Sequence, residues 1–462
     1  NKEGDGKAVQ GESMNRQIIV ANVDNESMLG DINAVPPHIF ESTSIISNRL
    51  LWLARTGDVI ILPREPSNTF LKYIESINGV NFSDIKIIVP TNIGTRRASI
   101  TNNLLLSETV LTEVKETLYE LPTQTWQILP YYFTSAVGQF GRELAKYFSL
   151  MQPPFNAEGG AEILNQKAIF RKLAAGISIP FATGETIENT HALNTTITRL
   201  LAFTGNVIVK QDKNAGGYGN YVITTTNRSH FKGAGKVLSL TDNSMESILS
   251  LIRTELATKG NEALTIEVYY NTSTVIYSEY FLGDDGTVEY LNHGIMRMQP
   301  LWSGFEIPGH LKPKIQAELI HNSTKLALLA KSLGYKGHLN IDAIVTENDT
   351  VIFTEINGRT GGCTHVHTVS AQLLGPNYLN THQSTTYNRI IVENLEAYLN
   401  LLSENQINFS TLEKKGVVIL SSDQHEFGTT LELIFTSQNT EETLRIENLA
   451  RGLASSIENH TI

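Results

Sequence analysis

The sequence predicts a mixed α/β protein of several domains, and three stretches of the chain carry this prediction. Short apolar strands alternate with helical segments in the first third of the chain, a pattern typical of a parallel sheet covered by helices. Residues 205–223 indicate a strand, a glycine-rich loop and a second strand, and residues 337–357 indicate a β-hairpin. A chain of 462 residues is long enough for two or three domains.

The N-terminal segment is predicted to form one α/β domain over residues 14–155. Polar residues of the loop NVDNESMLGD follow its first strand, and open α/β sheets bind ligands at such strand ends. Asn22 and Glu26 are therefore candidate substrate contacts, although an ordinary capped loop explains the pattern equally well. The pattern predicts strands over 17–21, 58–63 and 85–89, and helices over 44–55, 67–77, 101–121 and 141–148.

Composition argues against several classes of function. The net charge is −11 and no basic patch is present, which argues against a nucleic-acid partner. No apolar run reaches 18 residues, so no membrane span is predicted. The single cysteine, Cys363, allows no intrachain disulfide, which agrees with a cytoplasmic location. Residues 1–13 are polar and glycine-rich, and we expect a flexible tail or a cloning remnant ahead of Met14.

A helix over residues 161–175, carrying Lys167, precedes the glycine-rich hairpin. Lys210 ends the first strand of that hairpin, and glycine allows backbone N–H groups to approach an anion closely. The P-loop and dinucleotide-binding motifs are absent, and hairpins often carry glycine for structural reasons, so the loop alone is a weak signal of phosphate binding. The turn contains three glycines, Gly216, Gly217 and Gly219.

The hairpin over residues 337–357 predicts a metal site. A two-residue turn at 348–349 would place six polar residues on one face in three facing pairs: Asp342 with Glu355, Asn340 with Asn357, and His338 with Arg359. Facing Cβ atoms are about 4.5–5.5 Å apart, and two carboxylates at that separation repel unless a cation lies between them. Such oxygen ligands suit Mg²⁺. A solvated hairpin face is the alternative, but the opposite face is wholly apolar: Leu339, Ile341, Ala343, Val345, Ile352 and Ile356.

The remaining C-terminal sequence offers two further candidate sites. Arg297, among apolar residues, needs an acidic or phosphate partner. Cys363, His365 and His367 alternate and could bind zinc from one face of a strand, but a distant fourth ligand is missing. We therefore prefer Mg²⁺ here and expect His365 to contact substrate or to fill the site. Further predicted elements are strands over 264–268, 275–282, 288–292, 416–422 and 429–436, and helices over 244–258, 314–333, 388–403 and from 441.

Taken in order, these motifs resemble the ATP-grasp superfamily of carboxylate–amine ligases over roughly residues 156–370. The stretches KQDKNAGGYGN, RMQPLWSGFEIPG and TEINGRTGGCTHVH are similar to those of the pheganomycin-type peptide ligases. That family carries a pre-ATP-grasp N-terminal domain and a small C-terminal domain. The resemblance implies domains over 14–155, 156–395 and 396–462, with the middle one formed by two α+β subdomains that grip ATP.

The resemblance also implies roles for individual residues. Lys167 and Lys210 would contact ATP phosphates, the three glycines would form a lid, and Glu267 with Val268 would receive the adenine at the hinge. One or two Mg²⁺ ions, with Mn²⁺ as a further candidate, would be held by Asp342, Glu355 and Asn357. Arg297 would steady the γ-phosphate and Arg359 the acyl phosphate, while His338, Asn340 and His365 are candidate substrate contacts. Residues 269–273 lack the acidic residue that usually holds the ribose.

The chemistry implied is amide or peptide bond formation. ATP converts a carboxylate, which is a poor electrophile, into an acyl phosphate that an amine attacks, and ADP and phosphate are released. No motif for a covalent nucleophile is evident. We expect an amino acid or similar acid as acyl donor and an amino acid or peptide as acceptor, with a homodimer as one candidate assembly. A non-catalytic ATP-binding protein on the same scaffold is the alternative.

Overall fold

A computed structural model describes residues 15–93, 98–214 and 216–458. The tail predicted at residues 1–13 and one position of the glycine-rich loop, Ala215, lie outside the described residues. Within the described ranges, no helix is both long enough and apolar enough to pass through a bilayer.

The N-terminal part forms a parallel five-stranded sheet in the order β3-β2-β1-β4-β5. The strands and helices are β1 (Arg16–Val20), α1 (Glu26–Leu29), α2 (Thr43–Asn48), β2 (Val59–Ile61), α3 (Asn68–Asn78), β3 (Lys86–Ile88), α4 (Asn102–Leu105), α5 (Glu108–Tyr119), β4 (Trp126–Pro130), α6 (Ser135–Ala145), β5 (Leu150–Met151) and α7 (Pro154–Ala157).

Two predictions in this part need correction. The helix predicted over 101–121 is two helices, because the Ser107 hydroxyl accepts from the backbone of Val110 and caps α5. The helix predicted over 44–55 is α2 followed by a 3-10 helix over Arg49–Leu53. β4 and β5 are absent from the predictions, yet β4 pairs directly with β1.

A smaller, mixed sheet follows, in the order β6-β10-β7-β8-β9. Helices α10 and α11 pack on one face, and a separate apolar cluster that includes Ile208, Val222 and Tyr269 covers the other. The helix predicted over 161–175 breaks into two at residues 165–166. The elements are α8 (Gly160–Leu164), α9 (Lys167–Gly176), β6 (Gly184–Ile187), α10 (Leu193–Thr204), β7 (Asn206–Gln211), β8 (Asn220–Thr224), β9 (Lys236–Ser239), α11 (Met245–Glu255) and β10 (Leu264–Val268).

An antiparallel eight-stranded sheet completes the chain, in the order β15-β14-β11-β12-β13-β16-β18-β17. Its elements are β11 (Thr272–Leu282), β12 (Val288–Met298), β13 (Trp302–Ile307), α12 (Pro313–Leu333), β14 (Gly337–Thr346), β15 (Val351–Asn357), α13 (Thr364–Leu374), α14 (Tyr378–Thr381), β16 (Gln383–Val392), α15 (Leu395–Glu404), β17 (Gly416–His425), β18 (Gly428–Ser437) and α16 (Thr440–Glu458). The division predicted at residue 396 therefore falls within one continuous sheet.

One prediction in this part is wrong, and the structure also removes the zinc alternative. Residues 388–392 belong to β16 rather than to a helix, since they pair with β18. Cys363 precedes α13, and His365 and His367 lie in its first turn, so the three side chains do not share the face of a strand. β13 is also missing from the predicted strands.

The β14–β15 hairpin differs from its prediction in two ways that offset each other. The turn has three residues rather than two, because the backbone N–H of Thr346 donates to the carbonyl of Thr350 at 2.9 Å. A bulge at Thr354 then shifts the register by one residue. The predicted pairs of Asp342 with Glu355 and of Asn340 with Asn357 are therefore confirmed.

The bulge also changes which residues share the apolar face. Val351 and Phe353 pack there, and Ile352 faces the other way, opposite Ile344. Because β15 ends at Asn357, the third predicted pair, His338 with Arg359, is wrong.

Candidate active site

A cavity of about 100 Å³ lies where the N-terminal sheet, helices α8 and α9, the end of β7 and strand β15 meet. Four residues predicted from the sequence line it: Lys167, Glu355, Asn357 and Arg359. The structure adds others that the sequence did not indicate, among them Ser27, Met28, Tyr132, Glu162, Asp212 and Lys213.

Asp342 and Glu355 form a buried pair of carboxylates at the base of this region. Burial and the neighbouring Glu355 raise the pKa of Asp342 well above its usual range. Burial acts in the same direction on Glu355, but Lys167, a hydrogen bond from Asp342 and further cations outweigh it and lower the pKa of Glu355. The two carboxyls of the pair are thus shifted in opposite directions by their surroundings.

The donor set fits a hard divalent cation. Asn357 donates from Nδ2 to Asp342 at 3.2 Å and to Asn340 Oδ1 at 2.9 Å, so its amide lies directly beside the carboxylates. Two carboxylates and an amide oxygen suit Mg²⁺. Among the described residues, no group of three His, Cys, Asp or Glu side chains could hold a metal, so a metal bound here would need an amide oxygen such as that of Asn357, which accepts from Arg359 Nη2 in this structure.

The cations predicted to meet phosphates lie beside this pair. Lys167 is buried at the start of α9, where burial lowers its pKa while Glu355 acts against that shift. Lys210 Nζ lies 2.7 Å from Glu267 Oε1, and Arg171 Nη1 lies 2.8 Å from Glu267 Oε2. The carboxylate of Glu267 is thus paired with two cations, while Val268 ends β10 just before the linker to the large sheet.

Arg359 connects the large sheet to the N-terminal domain. Its Nη1 donates to Tyr131 Oη at 3.3 Å, and its Nη2 donates to Asn357 Oδ1 at 3.2 Å. The backbone N–H of Thr360 donates to the carbonyl of Tyr131 at 3.0 Å. Because Tyr131 and Tyr132 follow β4, one wall of the cavity is built by the carboxyl end of an N-terminal strand.

The glycine-rich loop lies against two other parts of the chain. A Cβ on Gly219 would come within 2.3 Å of Gln211 Oε1, and Gly217 has φ +83° and faces Leu301 in the β12–β13 turn. The ring of Tyr218 stands 5.9 Å from the ring of His38 in the N-terminal domain. Gly216 and Gly217 both have positive φ, so the close turn depends on glycine.

Arg297 is not brought to this cavity. Asp342 pairs with Tyr277 of β11, which pairs with Gly294 of β12, and Arg297 is an odd number of residues further on. Its side chain therefore projects from the opposite face of the sheet. There its Nη1 lies 2.8 Å from Glu447 Oε2, beside a separate cavity of about 460 Å³.

The two substrate candidates of the N-terminal loop are engaged with the protein itself. Asn22 donates to the carbonyl of Tyr132 at 2.7 Å and accepts from its N–H at 3.2 Å, so it positions Tyr132. Glu26 accepts from the backbone N–H of Asn102 at 2.6 Å.

The two histidine candidates also contact protein groups. His365 is hydrogen-bonded to Glu432, which forms an ion pair with Arg49 of the N-terminal domain. His338 Nδ1 lies 3.7 Å from Glu279 Oε2. Asn340 is therefore the one candidate substrate contact that touches the proposed metal ligands directly.

Glu279 is fully buried beside the site and is missing from the sequence predictions. It accepts from Asn292 Nδ2 at 2.9 Å and from Thr364 Oγ1 at 2.6 Å. Burial raises its pKa to about 7, although both hydrogen bonds act against that shift. Burial lowers the pKa of the facing His338 to about 4, and Cys363 also faces this carboxyl.

This shift predicts a pH dependence of stability. Between about pH 4.5 and 7 the folded chain keeps the Glu279 proton and the unfolded chain loses it, so the free energy of unfolding falls as pH rises. Glu279→Gln has no proton to release, so its free energy of unfolding should not fall in this way. We expect the difference in unfolding free energy between Glu279→Gln and wild type to rise by about 3 kcal/mol from about pH 4.5 to pH 7. Urea unfolding at several pH values measures it, with the exposed Glu289→Gln as control. A difference that stays constant with pH would contradict the prediction.

Comparisons with known proteins agree with this architecture. Residues 47–145 match the family model described as the pre ATP-grasp domain. A biotin carboxylase from Campylobacter jejuni, solved with a β,γ-ATP ligand, is 14% identical with a TM-score of 0.56, over 96% of this chain and 97% of that one. An N5-carboxyaminoimidazole ribonucleotide synthetase solved with ADP is 11% identical with a TM-score of 0.55, over 96% and 97%.

A third similar structure is the carboxyaminoimidazole ribonucleotide synthase of Aspergillus clavatus complexed with ATP, 13% identical with a TM-score of 0.52, over 96% of this chain and 99% of that one. Among curated proteins, a sequence search finds no match. The chain therefore has an ATP-grasp-like fold preceded by a pre-ATP-grasp domain, as the sequence predicts.

Proposed function

We propose that this chain is an ATP-dependent carboxylate–amine ligase that activates an acid as an acyl phosphate and releases ADP and phosphate. The buried pair of Asp342 and Glu355, with Lys167 and Arg359 at the same cavity, supports this function most directly. Burying two carboxylates and several cations together costs desolvation energy, so stability explains them poorly. A role in neutralising the charge of a bound ligand explains them better. The similar structures with bound ADP or ATP share the fold that would carry the nucleotide.

The reaction needs positioning rather than a covalent nucleophile. An oxygen of the acid attacks the γ-phosphorus, the bond to the β-phosphate oxygen breaks, and ADP leaves. The amine then forms the C–N bond, phosphate leaves, and the amine gives up a proton to solvent. Mg²⁺ bound to ATP neutralises phosphate charge, and Asp342, Glu355 and Asn357 are the residues that would hold it.

The resemblance supports further roles for the cationic residues. Lys167 and Lys210 meet phosphate charge, and Arg359 meets the carboxylate or acyl phosphate. Water must be kept away, since acyl phosphates hydrolyse. The glycine-rich loop suits that role because its Tyr218 lies beside His38 of the N-terminal domain.

The amine acceptor and the kind of bond follow from resemblance. The similarity to pheganomycin-type peptide ligases favours an amino acid or peptide amine as acceptor and an amide or peptide bond as product. Arg297, which lies across the sheet from Asp342, is left out of this chemistry. It is better explained by its ion pair with Glu447.

The test is release of ADP and phosphate with ATP, Mg²⁺ and a panel of amino acids and short peptides. We expect ADP release that depends on both an acid and an amine, with reactions lacking either as controls. AMP and pyrophosphate would instead mean adenylation. ADP release that needs bicarbonate and no amino acid would mean carboxylation. Tight ATP binding without turnover in any combination would favour the non-catalytic alternative.

A further inference from the structure

The cavity beside Glu355 is also lined by the carboxylate of Glu162. Glu162, on helix α8, accepts from Ser27 Oγ at 2.5 Å and from the backbone N–H of Ser135 at 3.3 Å. No lysine or arginine among the described residues forms an ion pair with it. A half-buried carboxylate that lines a cavity without a cationic partner is suited to receive a cation from a ligand.

Two side chains of opposite charge therefore line the same cavity, the carboxylate of Glu162 and the guanidinium of Arg359. Tyr132 also lines this cavity, and both charges act electrostatically on its hydroxyl. Burial and then Glu162 raise the pKa of Tyr132, whereas Arg359 acts against them. The side chain of Asn22 hydrogen-bonds to both the carbonyl and the N–H of Tyr132, which fixes the backbone of this lining residue.

The other two carboxylates of the cavity, Glu355 and Asp212, already have a cationic neighbour in Lys167. Glu355 lies close to Lys167, and Asp212 accepts from the backbone N–H of Ala168 at 3.1 Å and acts electrostatically on Lys167. Glu162 is thus the carboxylate of this cavity that is left to bind a ligand cation, and Arg359 is the cation nearest the wall formed by Tyr131 and Tyr132.

The size of the cavity limits the ligand. At roughly 10–15 Å³ for each water molecule, a cavity of about 100 Å³ takes on the order of eight waters. A small amino acid has about that number of non-hydrogen atoms. Ser27 and Met28 also line the cavity.

Resting on the ligase function above, we propose that the acid activated here is a small zwitterionic amino acid, bound with its ammonium group at Glu162 and its carboxylate towards Arg359. This orientation places the carboxylate beside Arg359, in the cavity that Lys167 and Glu355 also line and where the phosphoryl group would arrive. Glu162 is then the residue that distinguishes an amino acid from the corresponding hydroxy acid.

The test is calorimetric binding to protein saturated with Mg²⁺ and β,γ-imido ATP. The probes are glycine, L-alanine and L-serine, each compared with its hydroxy acid: glycolate, L-lactate and L-glycerate. In wild type we expect the amino acid to bind about 10- to 100-fold more tightly than its partner, the range for a hydrogen bond between charged groups. Glu162→Gln should lose most of this preference and keep its affinity for the nucleotide.

Glu158→Gln is the matched control, because Glu158 lies four residues away and is 82% exposed. It should keep the wild-type preference. Three results would overturn the proposal: wild type binds none of the amino acids, wild type binds both members of each pair equally, or Glu162→Gln keeps the preference. The wild-type comparison can overturn the proposal even if Glu162→Gln fails to fold.

Failure of this proposal can be told apart from failure of the ligase function. If hydroxy acids support ADP release as well as amino acids do, the ligase function stands and the role of Glu162 falls. If no acid and amine support ADP release while the binding preference is present, the site for an amino acid stands and the ligase function falls.

Discussion

Replacing Glu355 with alanine is expected to lower acid-dependent ADP release by about a thousandfold or more. The change removes one of two facing carboxylates and leaves Lys167 without its nearest anion. A metal ion is worth several kcal/mol of charge stabilisation during phosphoryl transfer, and each 1.36 kcal/mol is about tenfold in rate. Loss of a ligand should therefore lower the rate far more than it changes the overall fold.

The measurement is a coupled ADP assay over a range of Mg²⁺ concentrations, together with a thermal unfolding scan. Glu347→Gln is the matched control, because Glu347 lies in the exposed turn of the same hairpin and should leave the rate unchanged. A rate for Glu355→Ala within threefold of wild type would remove this pair from the chemistry. Partial rescue at high Mg²⁺ would be the expected sign of weakened metal binding.

Replacing Glu432 with alanine is expected to lower the free energy of unfolding by about 3–5 kcal/mol, the range for breaking a buried ion pair. Glu432 is 2% exposed and joins three distant parts of the chain. It pairs with Arg49 of the N-terminal domain and with His365 of α13, and both partners are also buried. Its loss leaves the guanidinium of Arg49 buried without a carboxylate.

Urea unfolding of wild type and Glu432→Ala measures this effect. Glu441→Gln, on the exposed side of the last helix, is the control and should shift the free energy by less than about 0.5 kcal/mol. Restoring the charge with Glu432→Asp should recover part of the stability, whereas a loss below about 1 kcal/mol for Glu432→Ala would show that Arg49 finds another partner or water.

The sequence alone predicted the elements in which polar and apolar residues alternate regularly over a few positions. The alternation of β14 and β15 places Asp342 opposite Glu355 and Asn340 opposite Asn357, and the structure has both pairs. The pattern survives an error in turn length because a bulge restores the register. Strand-ending Lys210 and its glycine-rich turn are also found where the spacing predicts them.

Elements with weaker local signals were missed for identifiable reasons. β4 has five residues and ends in a proline, and β13 has six residues and closely follows Pro300. Missing β4 had a consequence for function, because Tyr131 and Tyr132 follow its carboxyl end. Had that strand been recognised, the rule that ligands bind at strand ends would have pointed to this wall of the cavity.

Residues that are distant in sequence share a site only when the packed sheets bring them together. On a long strand, the site also depends on which of the two faces each side chain projects from. Tyr131 and Arg359 are 228 positions apart and meet at 3.3 Å. Glu162 lines the cavity because α8 packs beside α1, which carries Ser27. Arg297 lies on the wrong face of β12 because side chains alternate along a strand, and its face depends on pairings that run through β11. Hydrophobic periodicity depends only on neighbouring residues and can be read from the sequence. Which faces of different strands and helices come into contact depends on the packed fold.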